Sequence, residues 1–345
     1  MKKAILGKTG LNVNKTGFGA LPIQRVDFDE ADKILKKAFE GGIDFYDTAR
    51  FYSDSEEKLG RSLSHVRDSI VIASKSMAKT PEDLERELDT SLKMLKTDHI
   101  DIYQLHDARI CYRPGDGTGL CEALEKFKKA GKIRHIGITT HRMSVAREAI
   151  ESGFYETLQY PFNYLASADD IDVYERCVKA DMGFICMKAM SGGLVSSAKA
   201  AYAFLDQYNG LVPIWGIQRE SELDEFLKYS HENVTLTDDL KELIEKDKKE
   251  LSGNFCRGCG YCMSSCPAGI KIDDCARMSL MIRRAPSQRL LSAENREMMK
   301  RIEDCIHCGA CSAKCPYGLD TPKLLEENYK DYMNIVSTGK IEPLK

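Results

Sequence analysis

Eight short runs of β-branched, aromatic and small residues, each followed by a stretch of helical periodicity, leave few folds open to this chain. The runs lie near Thr16–Ala20, Ile43–Asp47, Ile70–Lys75, Ile100–His106, His135–Thr139, Thr157–Pro161, Gly183–Lys188 and Val212–Gly216. Strands that alternate with helices make a parallel sheet, and eight such units predict a closed (β/α)8 barrel. The helices carry clear start and stop signals. Asp27 is an N-cap with Glu30 three positions on; Ile34, Leu35, Ala38 and Phe39 follow at helical spacing, and Gly41 and Gly42 end the run. Thr80 and Pro81 open another helix, with Leu84, Leu88, Leu92 and Leu95 along one face. Ahead of the first strand, "KAILGKTGLNVNK" reads as a hairpin turned at Lys8-Thr9-Gly10, placed to cap the barrel's N-terminal mouth. The rival architecture is a doubly wound open sheet. It requires a G-x-G-x-x-G turn after the first strand, and "GFGALP" at Gly17–Pro22 does not supply one.

The last third is of a different kind. "CRGCGYCMSSCP" from Cys256 follows C-x2-C-x2-C-x3-C-P, and "CIHCGACSAKCP" from Cys305 repeats the spacing 49 residues later (305 − 256). Thiolates are soft ligands for iron, and three cysteines at two-residue gaps wrap one corner of a cluster. The runs resemble those of bacterial two-cluster ferredoxins, and by that resemblance Cys256, Cys259, Cys262 and Cys315 would hold one [4Fe-4S] cluster, and Cys305, Cys308, Cys311 and Cys266 the other. Zinc is the alternative, but a zinc ribbon has no use for a third close cysteine and a Cys-Pro in each run. The segment between the runs has a helical pattern, so this part resembles the α-helical ferredoxins. The charged stretch "TDDLKELIEKDKKEL" reads as a solvated connector. The expected division is a barrel over 1–235 and a helical two-cluster domain over 236–345. Cys111, Cys121, Cys177, Cys186 and Cys275 lie outside the runs and are read as core residues.

Eight of thirteen cysteines in metal-type runs favour ligation in a reducing compartment over disulfides. A net charge of -3 argues against a nucleic-acid partner. No apolar run approaches the roughly 18 residues that span a bilayer, and "MKKAILGKTG" lacks the apolar core of a secretory signal. The expectation is a cytoplasmic protein with no membrane association.

In a βα barrel, chemistry sits at the C-terminal ends of the strands. Asp47, Lys75 and His106 end the second, third and fourth strands, and Tyr52 lies five residues after Asp47. Each alone has an ordinary reading: Asp caps a helix, His packs, Lys is solvated. Together, in "GFGALP", "GIDFYDTARFYSDSEEKLGRSL", "VIASKS", "DIYQLHD" and "IGITTH", they resemble in order the motifs of the aldo-keto reductase superfamily, over about Met1–Tyr229. The resemblance implies a (β/α)8 barrel and a catalytic tetrad of Asp47, Tyr52, Lys75 and His106. In it, Tyr52 protonates a carbonyl oxygen while a nicotinamide, NAD(P)H, delivers hydride to the carbon. A phenol is a poor acid near neutrality; a buried ammonium beside it stabilises the phenolate, and the aspartate keeps that ammonium charged.

The resemblance also implies cofactor contacts from Gln159, from Thr139 and Thr140 in place of a Ser-Asn pair, and from Met187 or Lys188 where many members carry a stacking aromatic. "PIWGIQRESELDEFL" keeps the loop-then-helix layout that binds phosphate, here through Gly216, Gln218, Arg219 and Glu222. Gly216 and Glu222 stand where NADP users place a lysine and an arginine, leaving Arg219 as the only nearby cation, so NADH stands at least level with NADPH. Trp215 is read as packing at the strand end.

Hydride carries two electrons and each [4Fe-4S] cluster takes one, so something must split the pair. Either a flavin occupies part of the barrel mouth, or the clusters exchange electrons with a ferredoxin- or flavodoxin-like carrier. The favoured reading is an iron-sulfur oxidoreductase that interconverts a small-molecule carbonyl and an alcohol, with clusters relaying electrons to or from such a partner. The alternatives are an electron-transfer protein whose barrel only docks, and a carbonyl reductase whose clusters are structural.

Overall fold

The computed structural model describes residues 1–191, 195, 197–232, 234–251, 255–256, 262–284, 288–315 and 318–341. It divides the chain into two compact units, Met1–Lys241 and Glu242–Lys345.

The first unit begins with an antiparallel hairpin of β1 (Lys3–Ile5) and β2 (Asn12–Asn14). Eight parallel strands follow: β3 (Gly17–Gly19), β4 (Phe45–Asp47), β5 (Val71–Ser76), β6 (Ile100–Leu105), β7 (Ile133–Thr139), β8 (Thr157–Pro161), β9 (Gly183–Met187) and β10 (Leu211–Gly216). They close in the order β10-β3-β4-β5-β6-β7-β8-β9, the (β/α)8 barrel expected from the alternation. The surrounding helices are α1 (Phe28–Glu40), α2 (Ser55–Leu63), α3 (Pro81–Leu95), α4 (Leu120–Lys129), α5 (Met143–Ser152), α6 (Ala168–Lys179), α7 (Ala198–Asp206) and α8 (Glu220–His231).

The local grammar works as read. The Asp27 side chain accepts from the Glu30 N–H at 2.8 Å, and α1 buries Ala31, Ile34, Leu35 and Ala38. The Thr80 hydroxyl accepts from the Asp83 N–H at 3.2 Å. The buried stripe of α3 is Leu84, Leu88, Ser91 and Leu95. Leu92 is displaced to the flank because 3.6 residues per turn bring position 91, not 92, back over 84 and 88.

Hairpin and barrel share one apolar layer: Ala4, Leu6 and Val13 pack with Phe45, Ala73, Ile102, Ile185 and Val212. This is the floor of the barrel. The hairpin's loop is wider than a turn at Lys8-Thr9-Gly10, with left-handed backbone at both Gly7 (φ +47) and Gly10 (φ +68). A Cβ on Gly7 would lie 2.4 Å from the Asp181 carbonyl oxygen, so glycine there lets the loop seat against the start of β9. Side chains alternate along a strand, so the residues two places beyond that layer, among them Asp47, Lys75 and Gln104, also point inward. The floor is apolar and the next layer is charged.

After α8 comes α9 (Asp238–Leu251), where Ile244 and Asp247 are buried, so the connector is not wholly solvated. The second unit carries α10 (Ile272–Cys275), α11 (Met278–Arg284), α12 (Ala293–Lys300), α13 (Ala310–Ala313) and α14 (Thr321–Thr338), with no strand among the described residues. Its core gathers Ile272, Cys275, Met278, Ile282, Met299 and Tyr332. Arg283 and Asp331 form a bidentate pair at 2.6 and 2.8 Å. Cys121, Cys177, Cys186 and Cys275 are buried as expected, but Cys111 is only half-buried because it lies in the loop after β6. Among the described residues, no helix is long and apolar enough to cross a membrane.

Candidate active site

The charged layer at the C-terminal end of the barrel brings Asp47, Tyr52, Lys75 and His106 together. Lys75 Nζ donates to Asp47 Oδ1 at 2.7 Å and to the Thr48 carbonyl at 2.6 Å; the two side chains are 1% and 2% exposed. The same Nζ lies 5.0 Å from the centroid of the Tyr52 ring. The Tyr52 and His106 rings meet edge to face, with centroids 5.6 Å apart. Adjacent parallel strands set this spacing. β4, β5 and β6 are neighbours, so their ends present three side chains side by side, and the β4–α2 loop folds Tyr52 over them.

Charge and burial oppose each other here. Burial draws the Lys75 ammonium down, but the Asp47 carboxylate and the Tyr52 hydroxyl outweigh it and hold the lysine above its ordinary value. Burial raises the Tyr52 phenol; Lys75 opposes this, while Asp47 and Asp107 add to it. Desolvation, helped by Lys75, pushes His106 down to about 3, so its imidazole is neutral. Two buried polar atoms in this group have no hydrogen-bond partner among the described residues: Asp47 Oδ2 and His106 Nδ1. Such atoms are costly unless something else meets them.

The positions read as cofactor contacts are divided. Gln159 lies beside the tetrad: its Nε2 reaches Asp47 Oδ1 at 3.4 Å and its Oε1 accepts from Gln104 at 2.8 Å. Thr139 and Thr140 have their hydroxyls engaged. Thr139 Oγ1 accepts from the Asp107 N–H at 2.8 Å, and Thr140 Oγ1 donates to the Ala108 carbonyl at 2.8 Å. They brace the turn after His106, where Asp107 has φ +48. Met187 ends β9 half-buried; Lys188 follows with φ +56, its carbonyl accepting from Asn163 at 2.9 Å.

Gly216 ends β10. Beyond it, Glu222 Oε2 accepts from the backbone N–H groups of Gln218 and Arg219 at 2.9 and 3.1 Å. Arg219 is not the only cation near this loop, which corrects the expectation: Arg25 Nη1 donates to Gln218 Oε1 at 3.3 Å, and the electrostatic field of Glu222 acts on it. Arg25 lies in the single 3-10 turn Pro22–Arg25 after β3, and barrel closure makes β3 the neighbour of β10. Trp215 is buried between Tyr202 and Phe226, with centroids at 5.8 and 4.3 Å, a packing role.

In the second unit, Cys266, Cys305, Cys308 and Cys311 line one cavity together with Pro267, Ile270, Ile272, Pro322 and Leu325. Three cysteines of one run thus share a cavity with the fourth cysteine of the other. Four cysteines on one apolar hollow are the donor set that an iron-sulfur cluster would need. Among the described residues, no three His, Cys, Asp or Glu side chains converge as they would on a single ion. Cys256 and Cys315 are half-buried and Cys262 is buried; Cys259 lies outside the described residues.

Comparisons with known proteins match two separate stretches of the chain. A family model described as the aldo/keto reductase family matches residues 15–203, and one described as a 4Fe-4S dicluster domain matches residues 255–320. L-galactose dehydrogenase of Arabidopsis thaliana is 34% identical over 149 residues, which are 39% of this chain and 47% of that protein. The uncharacterized oxidoreductase YqkF of Bacillus subtilis is 29% identical over 177 residues, 47% of this chain and 56% of its own length. The chain thus spans about half the length of these curated relatives. The holo form of an aldo-keto reductase from Bacillus halodurans superimposes with a TM-score of 0.61 at 21% identity, covering 72% of this chain and 96% of that one, a shared fold.

Proposed function

Because the chain belongs to the aldo/keto reductase family and carries a 4Fe-4S dicluster domain, we propose that it interconverts a carbonyl and an alcohol, with Tyr52 as the proton donor. The observation that carries this reading is the buried Lys75 ammonium, 2.7 Å from Asp47 and 5.0 Å from the Tyr52 ring centroid. A nicotinamide, when bound, would supply the hydride, and with it both electrons, to the carbonyl carbon. Tyr52 gives its hydroxyl proton to the carbonyl oxygen as that bond forms. Lys75 stabilises the phenolate left behind, and solvent restores the proton. His106, neutral, hydrogen-bonds the same oxygen and orients it. Oxidation of the alcohol runs the same proton path in reverse.

The polar atoms at the mouth suit such a cofactor. Asp47 Oδ2 and His106 Nδ1 lack partners among the described residues, and the Gln159 amide, held at one end by Gln104, can meet a carboxamide. Thr139 and Thr140 act by bracing the turn after His106. At the start of α8, the Glu222 carboxylate already holds two backbone N–H groups. A ribose 2'-phosphate there meets the Glu222 charge as well as the cations Arg219 and Arg25, whereas a ribose hydroxyl meets an acceptor, so NADH stands at least level with NADPH.

In the second unit, Cys266, Cys305, Cys308 and Cys311 would hold one [4Fe-4S] cluster, and Cys256, Cys259, Cys262 and Cys315 the other. Such clusters supply single-electron transfer, and the external partner that fits them is a ferredoxin- or flavodoxin-like carrier.

The test is anaerobic. A panel of carbonyls and alcohols is assayed with NADH and NADPH, and Tyr52→Phe is expected to lower kcat about 100-fold or more with iron content unchanged. Turnover near wild type in that variant removes Tyr52 from the mechanism. Cluster bleaching and the reduced-cluster EPR signal, followed with NADH or a reduced carrier, test the relay; if neither donor reduces the clusters, it is refuted.

A further inference from the structure

Behind Lys75 sits a second buried carboxylate that the proton path does not use. Glu56, in the first turn of α2, is 1% exposed. Its Oε1 accepts from the Ser74 hydroxyl at 2.6 Å, and its Oε2 pairs with the Arg50 guanidinium. Ser74 precedes Lys75 on β5, so Glu56 lies against the outer side of the strand whose inner side presents the ammonium. Burial raises the Glu56 carboxyl, and the Ser74 hydroxyl, Arg50 and Lys75 oppose this.

Arg50 in turn grips the loop that carries Tyr52. Its backbone N–H donates to the Lys75 carbonyl at 3.0 Å, extending the β4–β5 ladder past Asp47. Its Nη2 donates to the Ser53 carbonyl at 3.1 Å, so the side chain bends back across residues 51 and 52. Ser53 has φ +37, a strained value for a residue with a Cβ that persists only where its surroundings enforce it. Tyr52 is therefore held between the Arg50 backbone, tied to β5, and the Ser53 carbonyl, tied to the Arg50 guanidinium, and that guanidinium is anchored by one buried carboxylate.

We propose that Arg50 and Glu56 are positioning residues for Tyr52: the ion pair holds the phenol over Lys75 and balances the charge on that ammonium. The proposal rests on Tyr52 being the proton donor. The groups facing Tyr52 are Lys75 from β5, Asp47 from β4, and His106 and Asp107 from the end of β6. Against them, Arg50 and Glu56 sum to zero, and removing either leaves a net charge beside Lys75. In carbonyl reduction Tyr52 must be protonated, so activity falls as pH rises through its pKa. Glu56→Gln leaves Arg50 uncompensated, favours the phenolate and moves this alkaline limb to lower pH. Arg50→Met leaves Glu56 uncompensated and moves it to higher pH.

The experiment measures kcat, KM and their pH profiles for Glu56→Gln, Arg50→Met and Arg50→Lys in the full cluster-loaded protein. It also titrates the Tyr52 ring by NMR with 13C-labelled tyrosine, the resonance being assigned by its loss in Tyr52→Phe. Expected are a roughly 10- to 100-fold fall in kcat for the first two variants, as for a displaced reacting group, with KM changed no more than about threefold. The limbs and the ring titrations shift in opposite directions, and Arg50→Lys, which keeps the charge, restores the limb. Lower melting temperatures with unmoved pH profiles and unmoved Tyr52 titration overturn the proposal. Full turnover in Tyr52→Phe instead overturns the underlying reading, so the two failures are distinguishable.

Discussion

Replacing Lys75 by methionine separates the electrostatics of the candidate site from its shape. Lys75 and Asp47 are 1% and 2% exposed and 2.7 Å apart. Without the ammonium, Asp47 retains a 3.4 Å contact to Gln159, and its Oδ2 has no partner. A buried carboxylate in that position must either take up a proton or remain uncompensated, and breaking such a pair from one side costs about 3–5 kcal/mol. The upper part of that range applies, since neither Asp47 oxygen has a close replacement donor. Asp47→Asn leaves Lys75 with the Thr48 carbonyl at 2.6 Å and an amide, a smaller loss. The double variant carries no charge at either position and is expected to be more stable than the sum of the single losses predicts, by about 2–3 kcal/mol. The assay is urea unfolding read by tryptophan fluorescence. Trp215 is the single tryptophan and is buried in the barrel, so its signal reports the barrel's own transition in a chain of two units. A loss below about 1 kcal/mol for Lys75→Met, or strict additivity of the two substitutions, would refute the claim that the pair is a desolvated ion pair.

Other predictions follow from separate parts of the molecule. Anaerobically prepared protein is expected to carry about eight iron and eight labile sulfide per chain; Cys266→Ser should remove the EPR signal of the cluster nucleated by Cys305, Cys308 and Cys311, and loss of the other signal alone would show that each run ligates its own cluster. Glu156 is held down to about 2, against its burial, by hydrogen bonds from His135, Lys128 and the Ile136 N–H. A depressed carboxylate stabilises the fold above its ordinary value of 4.5 and loses that contribution as pH falls through about 2. Glu156→Gln should therefore lose roughly 3 kcal/mol at neutral pH and progressively less in acid, measured by urea midpoints across pH. Gly60→Ala should destabilise the barrel by about 1–3 kcal/mol, because its Cβ would stand 2.1 Å from the Met94 carbonyl oxygen where α2 meets α3; an unchanged melting temperature would show that the helices can part freely.

Much of this protein was legible in one dimension because its determinants are local. Strand after strand, the alternation of apolar runs with capped amphipathic helices specifies βα units, since each needs only its own hydrogen bonds and one buried face. The hairpin, the Asp27 and Thr80 caps and the two C-x2-C-x2-C-x3-C-P runs were readable for the same reason. Strand ends are local too, which is how Asp47, Lys75 and His106 could be picked out before any contact among them was known. What the sequence could not state is which distant residues closure makes into neighbours. Arg25 meets Gln218 across 193 positions only because β3 seals against β10. The hydroxyls of Thr139 and Thr140 meet the turn after β6, and Glu222 accepts from the N–H groups at its own helix start, contacts that no local pattern announces. Glu56, in the first turn of α2, is buried because β5 lies directly beneath it, its carboxylate meeting the Ser74 hydroxyl. Side-chain charge is written in the sequence, but its partner and its burial are set by packing between elements far apart in the chain, and those decide what each charged group can do.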